Sequence, residues 1–125
     1  EQYFGSWEGK VVDTLREHPE FKQLIQDPAN YKAQVNGGET FEQLGERAMK
    51  ALHDIIKIHN QGNILIVSHG HTLRLLLALL NGATWQNHRD EDKSVSLINT
   101  SISVVHYDDE NGFCVEKIND ADHLK

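Results

Sequence analysis

The chain has 125 residues, 38% of them apolar and 25% charged, with a formal net charge of −7. That length suits a single domain with one core, and the composition argues against a disordered or fibrous chain. The acidic balance and the lack of a Lys/Arg cluster exclude nucleic acid as a partner, while the most apolar stretch, Leu73 to Leu80, is too short to span a bilayer and offers no membrane anchor.

The single cysteine, Cys114, has no intrachain disulfide partner, so a cytoplasmic protein is the simplest expectation. The chain opens Glu1-Gln2-Tyr3-Phe4 without an initiator Met or a signal segment, and position 1 reads as a processing boundary or the edge of a fragment.

From Gly9 to about Tyr31, apolar positions such as Val12, Leu15, Phe21, Leu24 and Ile25 recur at roughly helical spacing, broken by Pro19 and Pro28. Two or three short helices are expected, with Pro19 in the first turn of one of them. Asn36-Gly37-Gly38 is a turn. Thr40-Phe41-Glu42-Gln43 has the form of a capping box, in which Thr and the Gln three residues on satisfy each other's backbone N–H groups. A long helix starts there, with Phe41, Leu44, Ala48, Leu52, Ile55 and Ile56 on one stripe and Gln61-Gly62 ending it.

Asn63 to Ser68 is β-branched and aliphatic without alternation, the pattern of a strand buried on both faces inside a parallel sheet. A largely buried helix follows from Thr72 to Leu80, with Arg74 as its only charge. Asn81 to Ser94 is polar around Trp85. Ser101 to Tyr107 and Phe113 to Ile118, joined through Asn111-Gly112, read as an antiparallel hairpin, whose edge offers a surface for a homodimer. The order is that of an α/β fold. Because a strand buried on both faces needs sheet neighbours, the first strand or strands are expected outside this chain.

The corner Ser68-His69-Gly70-His71 puts His69 at the C-terminal end of that strand and at a helix N-terminus, where open α/β sheets bind ligands. Exposed N–H groups and the positive end of the helix dipole attract an anion, and Gly70 lets the backbone approach it. A histidine there can donate to a phosphoryl oxygen or act as nucleophile or base; the bland alternative is a side chain that merely caps backbone groups. His69-x-His71 has no third residue at metal-ligand spacing, so neither a metal nor another cofactor is expected.

Ile66-Val67-Ser68-His69-Gly70-His71-Thr72-Leu73-Arg74, together with Glu1-Gln2-Tyr3-Phe4-Gly5-Ser6-Trp7-Glu8-Gly9, resembles the histidine phosphatase superfamily in its phosphoglycerate-mutase-like branch. Weaker matches run along the chain: Gly38-Glu39-Thr40 followed by Arg47, Asn99-Thr100-Ser101-Ile102, and Asn119-Asp120-Ala121-Asp122-His123-Leu124. The resemblance implies a three-layer α/β/α sandwich. It also implies phosphoryl transfer through a phosphohistidine formed on a histidine of an Arg-His-Gly motif. His69 matches the second histidine, which holds the phosphoryl group, with Gly70 and His71 beside the phosphate through their backbone. Glu1 matches the glutamate that protonates the leaving oxygen and later serves as base.

No Arg-His-Gly occurs in this chain; Arg16-Glu17-His18 is the nearest approach, and it falls in an expected helix. The second phosphate-binding arginine of the family, which lies upstream of the glutamate, is also absent. The 125 residues therefore read as the C-terminal part of one histidine phosphatase domain, inactive alone, from a protein acting on a small phosphorylated metabolite. A phosphoglycerate mutase shares every residue named, and a catalytically inactive module that binds phosphorylated ligands is the reading from another class.

Other residues have plainer readings. Trp7 packs under its loop, and Glu8 and Glu39 are acids near helix starts. Arg47 pairs with a carboxylate, and Arg74 folds back toward the strand end or pairs with an acid. Cys114 is a small packed residue, and His53, His59, His88 and His106 are surface residues.

Overall fold

The computed structural model describes residues 1–125. Two 3-10 turns, Gly5–Trp7 and Val12–Thr14, precede helices α1 (Pro19–Gln26), α2 (Phe41–Ile58) and α3 (Gly70–Leu80); strands β1 (Ile102–Asp108) and β2 (Gly112–Asp120) follow, then a 3-10 turn, Asp122–Leu124.

Local chemistry sets the helix starts. Pro19 occupies the first turn of α1, whose cap is His18: its Nδ1 accepts from the Glu20 N–H at 3.1 Å. The capping box of α2 is complete, with Gln43 N donating to Thr40 Oγ1 at 3.2 Å and Thr40 N to Gln43 Oε1 at 2.9 Å. The helix stops at Ile58, and the chain turns beyond it through Gly62 at φ +88°.

Trp7, Leu24, Tyr31, Ala33, Phe41, Leu44 and Leu75 form the larger apolar cluster, which joins the N-terminal turns to α1, α2 and α3. A smaller one, Leu77, Ala78 and Val95 with Leu97, Val105 and Ile118 packed against it, ties α3 to the hairpin. Each large side chain so buried contributes about 1.5–3 kcal/mol, so the first cluster dominates stability, and it lies directly beneath the start of α3. The hairpin pairs Tyr107 with Phe113 and Asp108 with Gly112, with a register irregularity around Val104. Its turn is held by Asp108, whose carboxylate accepts from the N–H groups of Glu110 and Asn111.

Three expectations are corrected. Asn63 to Ser68 carries no strand pairing: β1 and β2 form the only sheet, and Leu65 and Val67 are 89% and 84% exposed. Strand-forming composition makes a strand only when a neighbour supplies the ladder, and no other segment of this chain pairs with it. Cys114 is exposed rather than packed, because it falls on the outward side of the two-stranded hairpin. His88 is 1% exposed, buried against Phe41. No helix is long and apolar enough to cross a membrane.

Candidate active site

His69 is the N-cap of α3, with extended backbone (φ −127°, ψ 167°) and no capping bond from its side chain. Its carbonyl accepts from Leu73 N at 2.9 Å, which leaves the first-turn N–H groups of Gly70, His71 and Thr72 pointing out of the helix end. The Glu1 carboxylate stands across that end. Its Oε2 accepts from His71 N at 3.1 Å, and its Oε1 accepts from Thr72 N at 3.0 Å, Thr72 Oγ1 at 3.2 Å and Gln2 N at 3.0 Å. A Cβ on Gly70 would stand 4.0 Å from Glu1 Oε2, an ordinary van der Waals contact, so the Glu1 carboxylate lies close above Gly70.

Partial burial opposes ionisation of Glu1, but the N–H groups of Gln2, His71 and Thr72 outweigh it and hold the carboxyl below its ordinary range. The helix end is therefore already an anion site, occupied by this chain's own carboxylate, with the Gly70 N–H and the exposed His69 ring beside it.

The backbone carrying Glu1 is held from α2. Glu39 N donates to Tyr3 O at 2.7 Å, Tyr3 N donates to Glu39 Oε1 at 3.2 Å, and Gln2 Nε2 donates to Glu39 O at 3.0 Å. Gly38 makes this close approach feasible, since a Cβ there would lie 2.5 Å from Tyr3 O. Arg47 completes the clamp, with Nε on Glu39 Oε2 at 2.8 Å and Nη2 on both Glu39 Oε1 at 3.0 Å and the Glu1 carbonyl at 3.1 Å.

His71 Nδ1 lies 2.9 Å from Gln2 Oε1. The Gln2 amide nitrogen is committed to Glu39, so Oε1 is the acceptor and His71 Nδ1 carries the proton. Burial, with the nearby charges of Arg89 and Arg74 overriding that of Glu1, pushes His71 down to about 4. His88 donates from Nδ1 to Trp85 O at 2.8 Å, and burial likewise lowers it to about 4. Beneath them lie two guanidiniums without a carboxylate partner: Arg74, whose Nη2 is 3.5 Å from Ser94 Oγ, and Arg89, lowered to about 10 by burial and by Arg74. Arg74 Nε and Arg89 Nε and Nη2 are buried without hydrogen-bond partners. These charges make the region under the corner positive in an otherwise acidic chain, which favours a bound anion.

Glu1, His69, Gly70 and His71 are thus brought to one place, although Glu1 and His71 are 70 residues apart. Arg47 has the carboxylate partner expected of it, whereas Arg74 has none. Sequence reasoning missed Gln2, Thr72, His88 and Arg89. Gln2 and Thr72 adjoin residues already singled out, but nothing in the polar stretch around Trp85 distinguishes His88-Arg89 from a solvated loop. No group of three or more His, Cys, Asp or Glu side chains is placed to hold a metal.

The pattern of the histidine phosphatase superfamily, branch 1, matches residues 1–121. The chain belongs to the histidine phosphatase superfamily. Among its relatives is a metal-independent phosphoserine phosphatase from Arabidopsis thaliana, 29% identical over 99% of this chain and 49% of that protein. Another is a probable phosphoglycerate mutase, GpmB, from Salmonella newport, 29% identical over 96% of this chain and 56% of that protein. Bacillus stearothermophilus YhfR superposes with a TM-score of 0.87 at 28% identity, covering 100% of this chain and 60% of that one. The α/β fold is therefore that of a histidine phosphatase, and the chain spans about half the length of the relatives it matches.

Proposed function

We propose that these residues are the C-terminal part of a histidine phosphatase domain, and that the whole protein hydrolyses a small phosphomonoester through a phosphohistidine. The reading rests on one observation: the Glu1 carboxylate is seated at the N-terminus of α3, the helix whose N-cap is the exposed His69. An acid/base group, a histidine donor and the unpaired Gly70 N–H then meet at one helix end, a set suited to a phosphoryl group and its ester oxygen. The superfamily assignment and the phosphatase among the relatives support the same chemistry.

In this reading the nucleophile is a histidine outside the 125 residues. Its ring nitrogen attacks phosphorus as the ester P–O bond breaks, and Glu1 gives its proton to the departing oxygen. His69 and the Gly70 N–H hold the phosphoryl oxygens, with the His71 backbone beside the phosphate and its own N–H on Glu1. A phosphoryl dianion beside Glu1 is a like charge, which raises the carboxyl from its low resting value and returns the proton it must donate. Water then attacks phosphorus, the P–N bond breaks, and Glu1 takes the water's proton, releasing inorganic phosphate. The GpmB relative favours a second outcome, in which the phosphoryl group passes to another substrate oxygen rather than to water.

The test uses the full-length polypeptide with p-nitrophenyl phosphate, a phosphoserine or phosphoglycerate substrate, and a rapid quench under alkaline conditions that preserve phosphohistidine. Turnover with a trapped phosphohistidine, both lost in His69→Ala, is the expected result. Phosphate binding without turnover or covalent intermediate would leave an inactive binding module instead.

A further inference from the structure

Glu1 reaches α3 from a distant part of the sequence, so something must aim it. The Glu39 side chain is only 14% exposed, and its residue contacts Gln2 and Tyr3 through three separate hydrogen bonds. Arg47 grips both Glu39 carboxylate oxygens and, through the second hydrogen of Nη2, the Glu1 carbonyl itself. An ordinary exposed ion pair fixes nothing beyond its two side chains and is worth little. This one closes on the main chain of the residue that carries the site's carboxylate.

Its supports are rigid for local reasons. Glu39 immediately precedes the capping box at Thr40, so the cap orients its backbone, and Arg47 lies on the same helix about two turns on. The geometry needs the guanidinium's planar fork, which serves a carboxylate on two sides and still has an N–H to spare; an ammonium is a single point charge.

We propose that Arg47 and Glu39 are positioning residues for Glu1, fixing the main chain from Glu1 to Tyr3 so that the carboxylate stands at the N-terminus of α3 beside His69. The inference rests on the reading of Glu1 as the acid/base. Neither residue touches the reacting atoms; both act through the placement of one side chain.

The test compares the full-length polypeptide with Arg47→Ala, Arg47→Lys and Glu39→Gln, and with Lys50→Ala as a control from the exposed side of α2. Misplacing a proton-transfer group by about an ångström lowers kcat about ten- to a hundredfold. Arg47→Ala should show that loss with KM within about twofold, a displaced acid/base limb in the pH profile of kcat, and partial rescue in Arg47→Lys. A second readout, the titration of the Glu1 carboxyl followed by NMR, needs no turnover and should move upward in Arg47→Ala. Unchanged kcat, pH limb and Glu1 titration would overturn the proposal, and so would a variant that merely melts earlier with its pH profile intact. If the parent enzyme neither turns over nor forms phosphohistidine, the functional reading fails separately. The Glu1 titration then decides the positioning role alone: a shift supports it, and no shift overturns it.

Discussion

A carboxylate with four donors on its two oxygens gives up a proton easily and takes one back reluctantly. In the proposed mechanism Glu1 is therefore set as a base in the resting state and depends on the incoming phosphoryl charge to become an acid. If the full-length polypeptide acts as proposed, Glu1→Gln keeps much of the shape and loses the proton, so kcat should fall about 10²–10⁴-fold on an alkyl phosphate such as phosphoserine. The loss should be much smaller on p-nitrophenyl phosphate, whose leaving oxygen needs little protonation; equal losses on both would remove Glu1 from the acid role.

The two buried histidines make a separate prediction. His71 and His88 each fall from 6.5 to about 4, mainly through burial. The unfolded chain binds these protons from about pH 6.5 downward while the folded chain refuses them, so stability is lost as pH drops from 6.5 toward 4. The depressed Glu1 carboxyl acts in the same direction below its ordinary value of 4.5. The melting temperature should decline over that window. His88→Asn, which keeps a donor for Trp85 O but cannot titrate, should flatten the slope, and a parallel curve in the variant would count against burial as the cause.

At the scale of the element, α2 does two jobs with one cap. Thr40→Ala removes the acceptor for Gln43 N and should cost about 1 kcal/mol in urea denaturation, the usual loss for such a cap. Phe41→Ala, in the fully buried next position, should cost about 3–5 kcal/mol. The capping box was legible because its two hydrogen bonds join residues three apart. The strand at Asn63 to Ser68 was legible only as composition: Ile64 to Val67 can pair, but pairing is a property of two segments, and within this chain the second is missing. The hairpin succeeded for the converse reason, since both partners and their Asn-Gly turn lie in one short stretch.

For the whole molecule, the unpaired segment carries the consequence. Leu65 and Val67 are exposed in a β-branched, aliphatic segment that pairs with no strand, the kind of segment that seeds edge-to-edge association. The 125-residue polypeptide by itself should aggregate at micromolar concentration, and Val67→Lys should suppress this in light scattering. In the full-length polypeptide the same substitution should destabilise the fold, because the proposed domain covers the segment on both faces. A harmless Val67→Lys there would contradict that cover.

The sequence by itself determined the starts of α1 and α2, the course of α3, the hairpin and the His69 corner, because each rests on contacts among residues a few positions apart. Only the tertiary structure decided that Glu1 closes the N-terminus of α3, that Arg47 holds Glu1, and that His88 and Arg89 are buried. Those contacts join residues as far as 46 and 71 positions apart, and no local pattern of residue types encodes which distant side chain a folded core will bring to a helix end.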